Sequence, residues 1–369
     1  MRRRDVLKGV AGTLLAAGAE TMVEAGAEAG DAKHAADLPS LKALGAQNGI
    51  EVGSCYSGTG DGIVRALLRR HAAIVTPEWC LKPRFLRPDE KRPYRFAEAD
   101  AIRAFCKSIS AKMHGHTLFW HGDRIDWADD ASLEVVKRAY GQFLADVVWR
   151  YPDLPSWDVA NEVLADPGPG LLRDDYLLST HGLDFIAFLF LRTRALAPRA
   201  KLVLNDYNLE CGEPWCASKR ERLIALVDQL IARHVPLDAV GLQSHLSSRH
   251  GLAIGEMLSL CDALEKRGLD VHISELDVND VAFPDDQAAR DQKVAEMYGR
   301  YLSGLLAHKA VKRVVLWGLS DRDHWLVRER TDEGRAAGLG RPAPFDRDGR
   351  PKPSFFAMAD ALKAAPRRA

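Results

Sequence analysis

Short apolar runs alternate with longer stretches of helical periodicity from Ile50 to the C-terminus. Short apolar runs bounded by turn residues are typical of buried strands. The pattern predicts strands at Ile50–Cys55, Ala72–Pro77, Lys112–Trp120, Ser156–Glu162, Lys201–Asp206, Ala239–His245, Val271–Asp277 and Arg313–Leu319. Between the strands, apolar residues recur at the spacing of an amphipathic helix. Such helices are predicted at Ser132–Arg150, Lys219–Arg233, Gln287–Ala307 and roughly Ser354–Ala364.

The order of these elements favours one α/β domain. Strands that alternate with helices predict parallel βα units joined by short right-handed crossovers. About eight such strands is the number in a TIM barrel, which also accommodates a chain of this length as one domain. No break in composition divides the chain from Leu38 onward. We therefore predict a (β/α)8 TIM barrel, formed by a single domain over residues 39–369.

The charge balance argues against nucleic acid as a partner. Lysine plus arginine and aspartate plus glutamate number 51 each, so the formal net charge is zero. No bulk electrostatic attraction toward nucleic acid or anionic membrane follows from this, and a neutral substrate fits at least as well. The six cysteines form no CxxC pair, which argues against a zinc ribbon or a thioredoxin-like motif. We predict no cofactor and no metal.

The cysteines leave two interpretations open. Cys55 and Cys80 each lie near the end of an early strand and could be neighbours. Cys211 and Cys216 could close a small loop. Buried free thiols are an equally good alternative, because unpaired cysteine behaves as a small apolar residue.

The first 38 residues resemble a targeting segment followed by a flexible lead-in. Arg3-Arg4-Asp5-Val6-Leu7-Lys8 resembles a twin-arginine export signal, and a weakly apolar run from Gly9 to Ala19 follows it. That run is too short and too rich in glycine and alanine to span a bilayer. We predict recognition by the twin-arginine export machinery, a periplasmic or secreted protein, and no stable membrane insertion after processing.

Polar side chains gather where the predicted strands end. In a barrel of this type, the carboxyl ends of the strands build the active site. Glu162 and Glu275 each close an apolar run, and two facing carboxylic acids are what glycoside hydrolysis requires. His245 and Asp277 lie at the ends of neighbouring strands. We expect His245 to orient Glu275 and keep it ionised, with Asp277 supporting the imidazole.

Six ordered motifs resemble glycoside hydrolase family 10, the endo-β-1,4-xylanases, over roughly Ile50 to Leu362. The motifs are Gly115-His116-Thr117-Leu118-Phe119-Trp120-His121, Trp157-Asp158-Val159-Ala160-Asn161-Glu162, Leu204-Asn205-Asp206-Tyr207-Asn208, Gly241-Leu242-Gln243-Ser244-His245, Ile273-Ser274-Glu275-Leu276-Asp277 and Trp317-Gly318-Leu319-Ser320-Asp321. Each is moderately specific alone, but the ordered set is very specific.

The resemblance implies a role for each candidate residue. Glu162 is implied to be the general acid/base and Glu275 the nucleophile of a retaining endo-1,4-β-xylanase that cleaves xylan or xylo-oligosaccharides. Retention implies carboxyl groups about 5–5.5 Å apart. The implied binding or supporting residues are Glu78, Lys82, His116, Trp120, Asn161, Tyr207, Gln243, His245, Asp277, Trp317 and Trp325. Of these, Tyr207 is expected near the nucleophile, and Trp317 and Trp325 are expected to wall the site.

Two positions depart from the family pattern. Trp79 stands where an asparagine is usual, and Asp123 stands where a glutamine is usual. Both changes fall on the glycone side, so a same-fold glycosidase for short or decorated xylo-oligosaccharides, or for another β-glycan, is an alternative. A non-catalytic carbohydrate-binding barrel is a third possibility. Trp149 and Trp157 are expected in the core rather than the site, and Asp158 is expected to be structural.

Overall fold

The computed structural model describes residues 38–58, 62–128, 131–166, 168, 170–328 and 340–368. The proposed export signal, residues 1–37 of the predicted leader, lies outside this part of the chain. Ser40–Ala369 forms one compact unit. Among the helices described, none has both the length and the apolar character needed to cross a membrane.

Parallel strands form a single curled sheet with helices between them. The strands are β1 (Glu51–Tyr56), β2 (Ile74–Pro77), β3 (Lys112–Met113), β4 (Ser156–Asn161), β5 (Lys201–Asp206), β6 (Ala239–Leu242), β7 (His245–Ser247), β8 (Asp270–Asn279) and β9 (Val311–Leu316). Their order in the sheet is β3-β2-β1-β9-β8-β6-β5-β4, and β7 pairs with the outer part of β8. The pairing of β1 with β9 joins the first and last strands, as a barrel requires.

Helices follow most strands and cover the sheet. They are α1 (Leu41–Gln47), α2 (Gly62–His71), α3 (Pro83–Leu86), α4 (Ala97–Ser108), α5 (Leu133–Arg150), α6 (Tyr176–Leu196), α7 (Pro214–Ala232), α8 (Ile254–Glu265), α9 (Gln287–Leu305), α10 (Trp325–Arg328) and α11 (Pro353–Ala364). This arrangement confirms the predicted TIM barrel, with buried strands that read as nearly continuous apolar runs.

The predicted third strand is the one that differs most from expectation. Regular pairing ends at Met113, although the prediction extended to Trp120. Beyond that point, the chain joins β4 through single hydrogen bonds, from Gly115 N to the carbonyl of Ser156 (3.0 Å) and from Leu118 N to that of Asp158 (2.9 Å). The hydroxyl of Thr117 also donates to Asp158 O, at 2.8 Å, so two donors share one carbonyl and the regular ladder is lost. These bonds close the barrel between β3 and β4.

Positive φ angles shorten two other predicted strands. Glu162 has φ 57°, so β4 ends one residue earlier than expected. Ser244 has φ 63° and divides the predicted strand Ala239–His245 into β6 and β7. Residues with left-handed backbone cannot continue a strand. At both places the alternation of side chains between the two faces of the sheet is interrupted.

The two core tryptophan predictions had opposite outcomes. Trp157 is fully buried and packs so closely on Gly115 that an added Cβ would lie 2.0 Å from its ring. Trp149 is 64% exposed, so its expected core position is wrong. It follows the buried Val148 on α5, and a step of one residue rotates about 100° around a helix, away from the buried face.

The cysteines divide between the two interpretations. Cys211 and Cys216 form a disulfide at the start of α7. Cys55 and Cys80 are free and buried, so the suggested pairing between them is wrong.

Candidate active site

A cleft of about 290 Å³ lies at the carboxyl ends of the strands. It is lined by Glu78, Trp79, Lys82, His116, Trp120, Asn161, Glu162, Tyr207, Gln243, His245, Glu275, Trp317 and Trp325. Every predicted site residue except Asp277 is in this set. Asp277 is buried behind the cleft, where it contacts His245.

Glu162 is surrounded by neutral hydrogen-bond donors. Trp120 Nε1 donates to its Oε2 at 2.7 Å, while Gln243 Nε2 and Asn161 Nδ2 lie 3.1 Å and 3.3 Å from its Oε1. The left-handed backbone at Glu162 places the carboxyl just beyond the end of β4. This setting orients the group without pairing it with a fixed cation, as a residue that must exchange a proton requires.

Glu275 has a different environment. Its Oε1 accepts a 2.7 Å hydrogen bond from Asn205 Nδ2, and its Oε2 lies 3.4 Å from His245 Nε2. The register of β8 against β9 shifts between Ile273 and Leu276. Such an irregularity re-aims a side chain, and here it falls at the glutamate that faces the cleft.

His245 links Glu275 to a buried carboxylate. Its Nδ1 lies 2.9 Å from Asp277 Oδ1, and the other Asp277 oxygen accepts a 2.7 Å bond from Trp325 Nε1. Burial disfavours a charged imidazole, but Asp277 and Glu275 outweigh it and raise the pKa of His245 well above its usual value. The geometry therefore agrees with the expected arrangement, in which Asp277 supports His245 and His245 faces Glu275.

Asn205 is a site residue that belongs to one of the ordered motifs but to which the sequence assigned no role. Its side-chain nitrogen bonds both Glu275 Oε1 and Asn161 Oδ1, the latter at 2.8 Å. Gln243 Nε2 lies 3.1 Å from the same Asn161 oxygen. These amides connect the surroundings of the two glutamates. The available signal was the position of Asn205 at the end of strand five.

One wall of the cleft, expected from the family resemblance to be the glycone side and called the glycone wall below, combines aromatic rings with a buried lysine. The Lys82 ammonium lies 3.9 Å from the ring centroid of Trp79 and 4.3 Å from that of Trp120. Burial lowers the pKa of Lys82 in spite of nearby carboxylates. Glu78 is paired with Arg328 at 2.6 Å, a contact with no signal in the sequence pattern. Asp123 is outside the cleft lining and accepts a hydrogen bond from Arg84 N at 2.7 Å.

The two remaining predicted contacts have identifiable supports. His116 Nδ1 lies 2.8 Å from Asp158 Oδ2, so the structural carboxylate expected at Asp158 orients a cleft residue. The hydroxyl of Tyr207 accepts a 2.7 Å bond from Arg173, whose Nε donates to the carbonyl of Glu162. These contacts connect Tyr207 to the backbone of Glu162, and Tyr207 lines the same cleft as Glu275.

One group of side chains in the described regions could be mistaken for a metal centre. Asp262, Glu265 and His308 bring single ligand atoms within 4.8 Å of one another. However, His308 Nδ1 accepts a hydrogen bond from Ala310 N, so Nε2 carries the ring proton and faces Asp262 at 3.0 Å. This group is a surface hydrogen bond from an imidazole to a carboxylate, and it leaves His308 no free ring nitrogen for a metal.

The fold and the cleft define a class of enzyme. A barrel with two carboxylic acids at the strand ends, each with its own set of partners, is the arrangement of a glycoside hydrolase. The chain belongs to glycosyl hydrolase family 10, whose sequence model matches residues 40–361.

Individual relatives agree with this assignment. The chain is 30% identical over 315 residues to endo-1,4-beta-xylanase A of Caldicellulosiruptor saccharolyticus, covering 80% of this chain and 88% of the relative. It is 30% identical over 340 residues to an endo-1,4-beta-xylanase of Geobacillus stearothermophilus, covering 88% and 98%. The crystal structure of xylanase 10B from Thermotoga petrophila RKU-1 in complex with xylobiose superimposes with a TM-score of 0.79 at 26% identity, covering 89% and 98%.

Proposed function

We propose that this protein is a retaining endo-1,4-β-xylanase that cleaves internal bonds of xylan. The observation that carries the proposal is the contrast between the two glutamates of one cleft. Glu275 is held by Asn205 and His245, whereas the donors that reach the Glu162 carboxyl from the described part of the chain are neutral. Family membership and the xylanase relatives support xylan as the substrate.

In the first step, Glu162 donates its proton to the glycosidic oxygen as the bond from that oxygen to the anomeric carbon breaks. A carboxylate oxygen of Glu275 attacks the same carbon and forms a glycosyl ester. The protonated His245 stabilises the charge of Glu275 before the attack. Asn205 fixes the oxygen that it binds.

In the second step, the proton transfer runs in the opposite direction. The carboxylate of Glu162 takes a proton from water, whose oxygen attacks the anomeric carbon and releases Glu275. Two inversions at one carbon give net retention of configuration. Asn161 and Gln243, which bond to each other and to Glu162, are placed to hold sugar hydroxyls on this side.

Product analysis tests the proposal directly. We expect reducing sugar from xylan, internal cleavage of xylo-oligosaccharides, and a β-anomer as the first product by proton NMR. Glu275→Ala should lose this activity while still binding xylan. An α-anomer as the first product would disprove retention, and binding without hydrolysis by the unaltered protein would indicate a carbohydrate-binding barrel instead.

A preference for short or decorated xylo-oligosaccharides is the second candidate. It is supported by the glycone wall, where Trp79 is 39% exposed and covers the Lys82 ammonium. An indole offers a sugar an apolar face in place of an amide that donates and accepts hydrogen bonds. Faster cleavage of short or branched substrates than of plain xylan would favour this candidate.

We also propose that residues 1–38 form a twin-arginine signal and lead-in for a catalytic domain of residues 39–369, and that the mature protein is periplasmic or secreted. The order of basic, apolar and small residues supports this. Replacing Arg3 and Arg4 with lysine should leave the protein in the cytoplasm. Export that is unaffected by this double change would contradict the proposal.

A further inference from the structure

A second cavity of about 480 Å³ lies beside the segments that follow β2 and β3. Among the described residues, its lining does not overlap with that of the catalytic cleft. The cavity is within the size range of ligand-binding sites in proteins, roughly 300–1,000 Å³. The cavity is therefore large enough to hold a small ligand.

The lining combines one indole with several polar side chains. Trp127 provides the aromatic surface, and Arg87, Glu90, Arg138 and Gln142 surround it. The guanidinium of Arg87 lies 5.8 Å from the ring centroid of Trp127. A pyranose ring has apolar C–H faces and a rim of hydroxyls, so it matches a ring bordered by planar hydrogen-bonding groups.

The Arg87 guanidinium is held in place beside the cavity. Its terminal nitrogens bond to Tyr94 and to the carbonyl of Glu90. The guanidinium also lies 4.9 Å from the ring centroid of Tyr94. A planar hydrogen-bonding group that is already fixed loses little conformational freedom when it binds a ligand.

The cavity is built from the same segments as the glycone wall. Lys82 and Arg87 flank α3, and Trp120 and Trp127 flank the turn that contains Asp123. The two segments are joined by the hydrogen bond from Arg84 N to Asp123 Oδ1. Each segment therefore contributes one residue to the cleft and another, a few positions later, to the second cavity.

We propose that this cavity is a second glycan-binding site, which holds a segment of a xylan chain outside the catalytic cleft. Trp127 takes the apolar face of a xylose unit, and Arg87 and Arg138 bond to its hydroxyls. The proposal rests on xylan as the substrate. The second site would attach the enzyme to the xylan polymer. Hydrolysis of short oligosaccharides does not require such attachment.

Affinity electrophoresis through xylan-containing gels tests the site. All proteins carry Glu275→Ala, so that the polymer is not degraded during the run. We expect Trp127→Ala to weaken the apparent affinity roughly two- to tenfold, the range of a lost aromatic contact. Replacing the exposed Arg138 with alanine should have an effect of similar size, because it removes hydrogen bonds to the sugar. Trp149→Ala removes an exposed tryptophan that is outside the cavity, and it should migrate like its parent. Unchanged migration of both cavity variants would overturn the proposal, as would an equal loss in the control.

Kinetics of the active protein separate this inference from the proposed function. Trp127→Ala should raise KM for xylan by a similar factor and leave kcat/KM for xylotriose unchanged. A wild-type KM for xylan in this variant would refute the second site alone. Absence of xylan hydrolysis by the unaltered protein would refute the proposed function, whatever the gels show.

Discussion

Asn205 donates a 2.7 Å hydrogen bond to Glu275, and this bond orients the proposed nucleophile within the cleft. Both residues are buried, Asn205 next to the last residue of β5 and Glu275 at the register shift in β8. The same Asn205 nitrogen also holds Asn161, the residue before Glu162. One amide thus fixes groups on both sides of the bond to be cleaved, which makes it a sensitive place to test the mechanism.

Asn205→Ala should lower kcat for an aryl xylobioside by about 10- to 100-fold, because a hydrogen bond to a charged group contributes about 1.5–3 kcal/mol. KM should change much less. Ser274→Ala is a matched control, since Ser274 bonds the Asn205 oxygen and not Glu275. If the two variants lose equal activity, Asn205 does not act through the nucleophile.

The raised pKa of His245 predicts a pH-dependent contribution to stability. The folded state binds the proton more tightly than the unfolded state, so this contribution is complete below about pH 6.5 and is lost as pH rises through the folded pKa. His245→Gln should therefore lower the midpoint of thermal unfolding more at pH 5.5 than at strongly alkaline pH. The exposed His234 provides a control, and His234→Asn should have little effect at either pH. If His245→Gln lowers the midpoint of thermal unfolding by the same amount at both pH values, the proton on His245 does not stabilise the fold.

The glycone wall can be tested by a gain of function. Trp79→Asn combined with Asp123→Gln restores the amides usual in the family, so it should increase cleavage of longer unsubstituted xylo-oligosaccharides relative to short ones. The measurement is the product pattern from xylopentaose and xylohexaose. Trp149→Asn, a change of the same type on the outer surface, should leave the pattern unaltered. An unchanged ratio in the double variant would exclude Trp79 and Asp123 as determinants of chain length.

The disulfide predicts a response to reductant. Cys211 and Cys216 close a short loop, and the loss of such a cross-link costs about 2 kcal/mol in the chain-entropy estimate. Dithiothreitol should therefore lower the midpoint of thermal unfolding of the unaltered protein by a few degrees. The Cys211→Ser/Cys216→Ser variant should already have the lower midpoint and should not respond to reductant. The four other cysteines are free thiols, which reductant leaves unchanged. A response that persists in this variant would therefore show that the Cys211–Cys216 bond is not its source.

Periodicity predicted the barrel well because strand burial depends on local apolar runs. β5 matches its prediction at both ends, and most other strands differ by only a few residues. The third strand failed because its continuation from Gly115 to Trp120 bonds to β4 through individual carbonyls rather than through a ladder. Such pairing depends on how the sheet closes, which no local pattern contains.

The site residues were predicted from their positions at the ends of strands. Residues elsewhere in the chain were missed or misplaced for the same reason. Residues at strand ends, such as Glu162 and Glu275, were found because unusual polar groups there stand out against an aliphatic core. Arg328 was missed because it lies on a short helix far along the chain, and only the folded structure brings it to Glu78. Trp149 was misplaced because an aromatic residue in a helix is buried only if it lies on the face that packs against the core. Trp149 is not among the buried residues of α5.

The closure between β3 and β4 also affects how a bound glycan and the barrel stabilise each other. His116 and Trp120 lie on one side of this seam, and Asn161 and Glu162 lie on the other. Under the proposed function, a sugar chain bound in the cleft would contact both sides of this seam and link them where the pairing of the sheet is least regular. Substrate would then slow hydrogen–deuterium exchange at the amides of Leu118 and Asn161, both of which bond across the seam. Bound glycan would therefore stabilise the barrel at its point of closure.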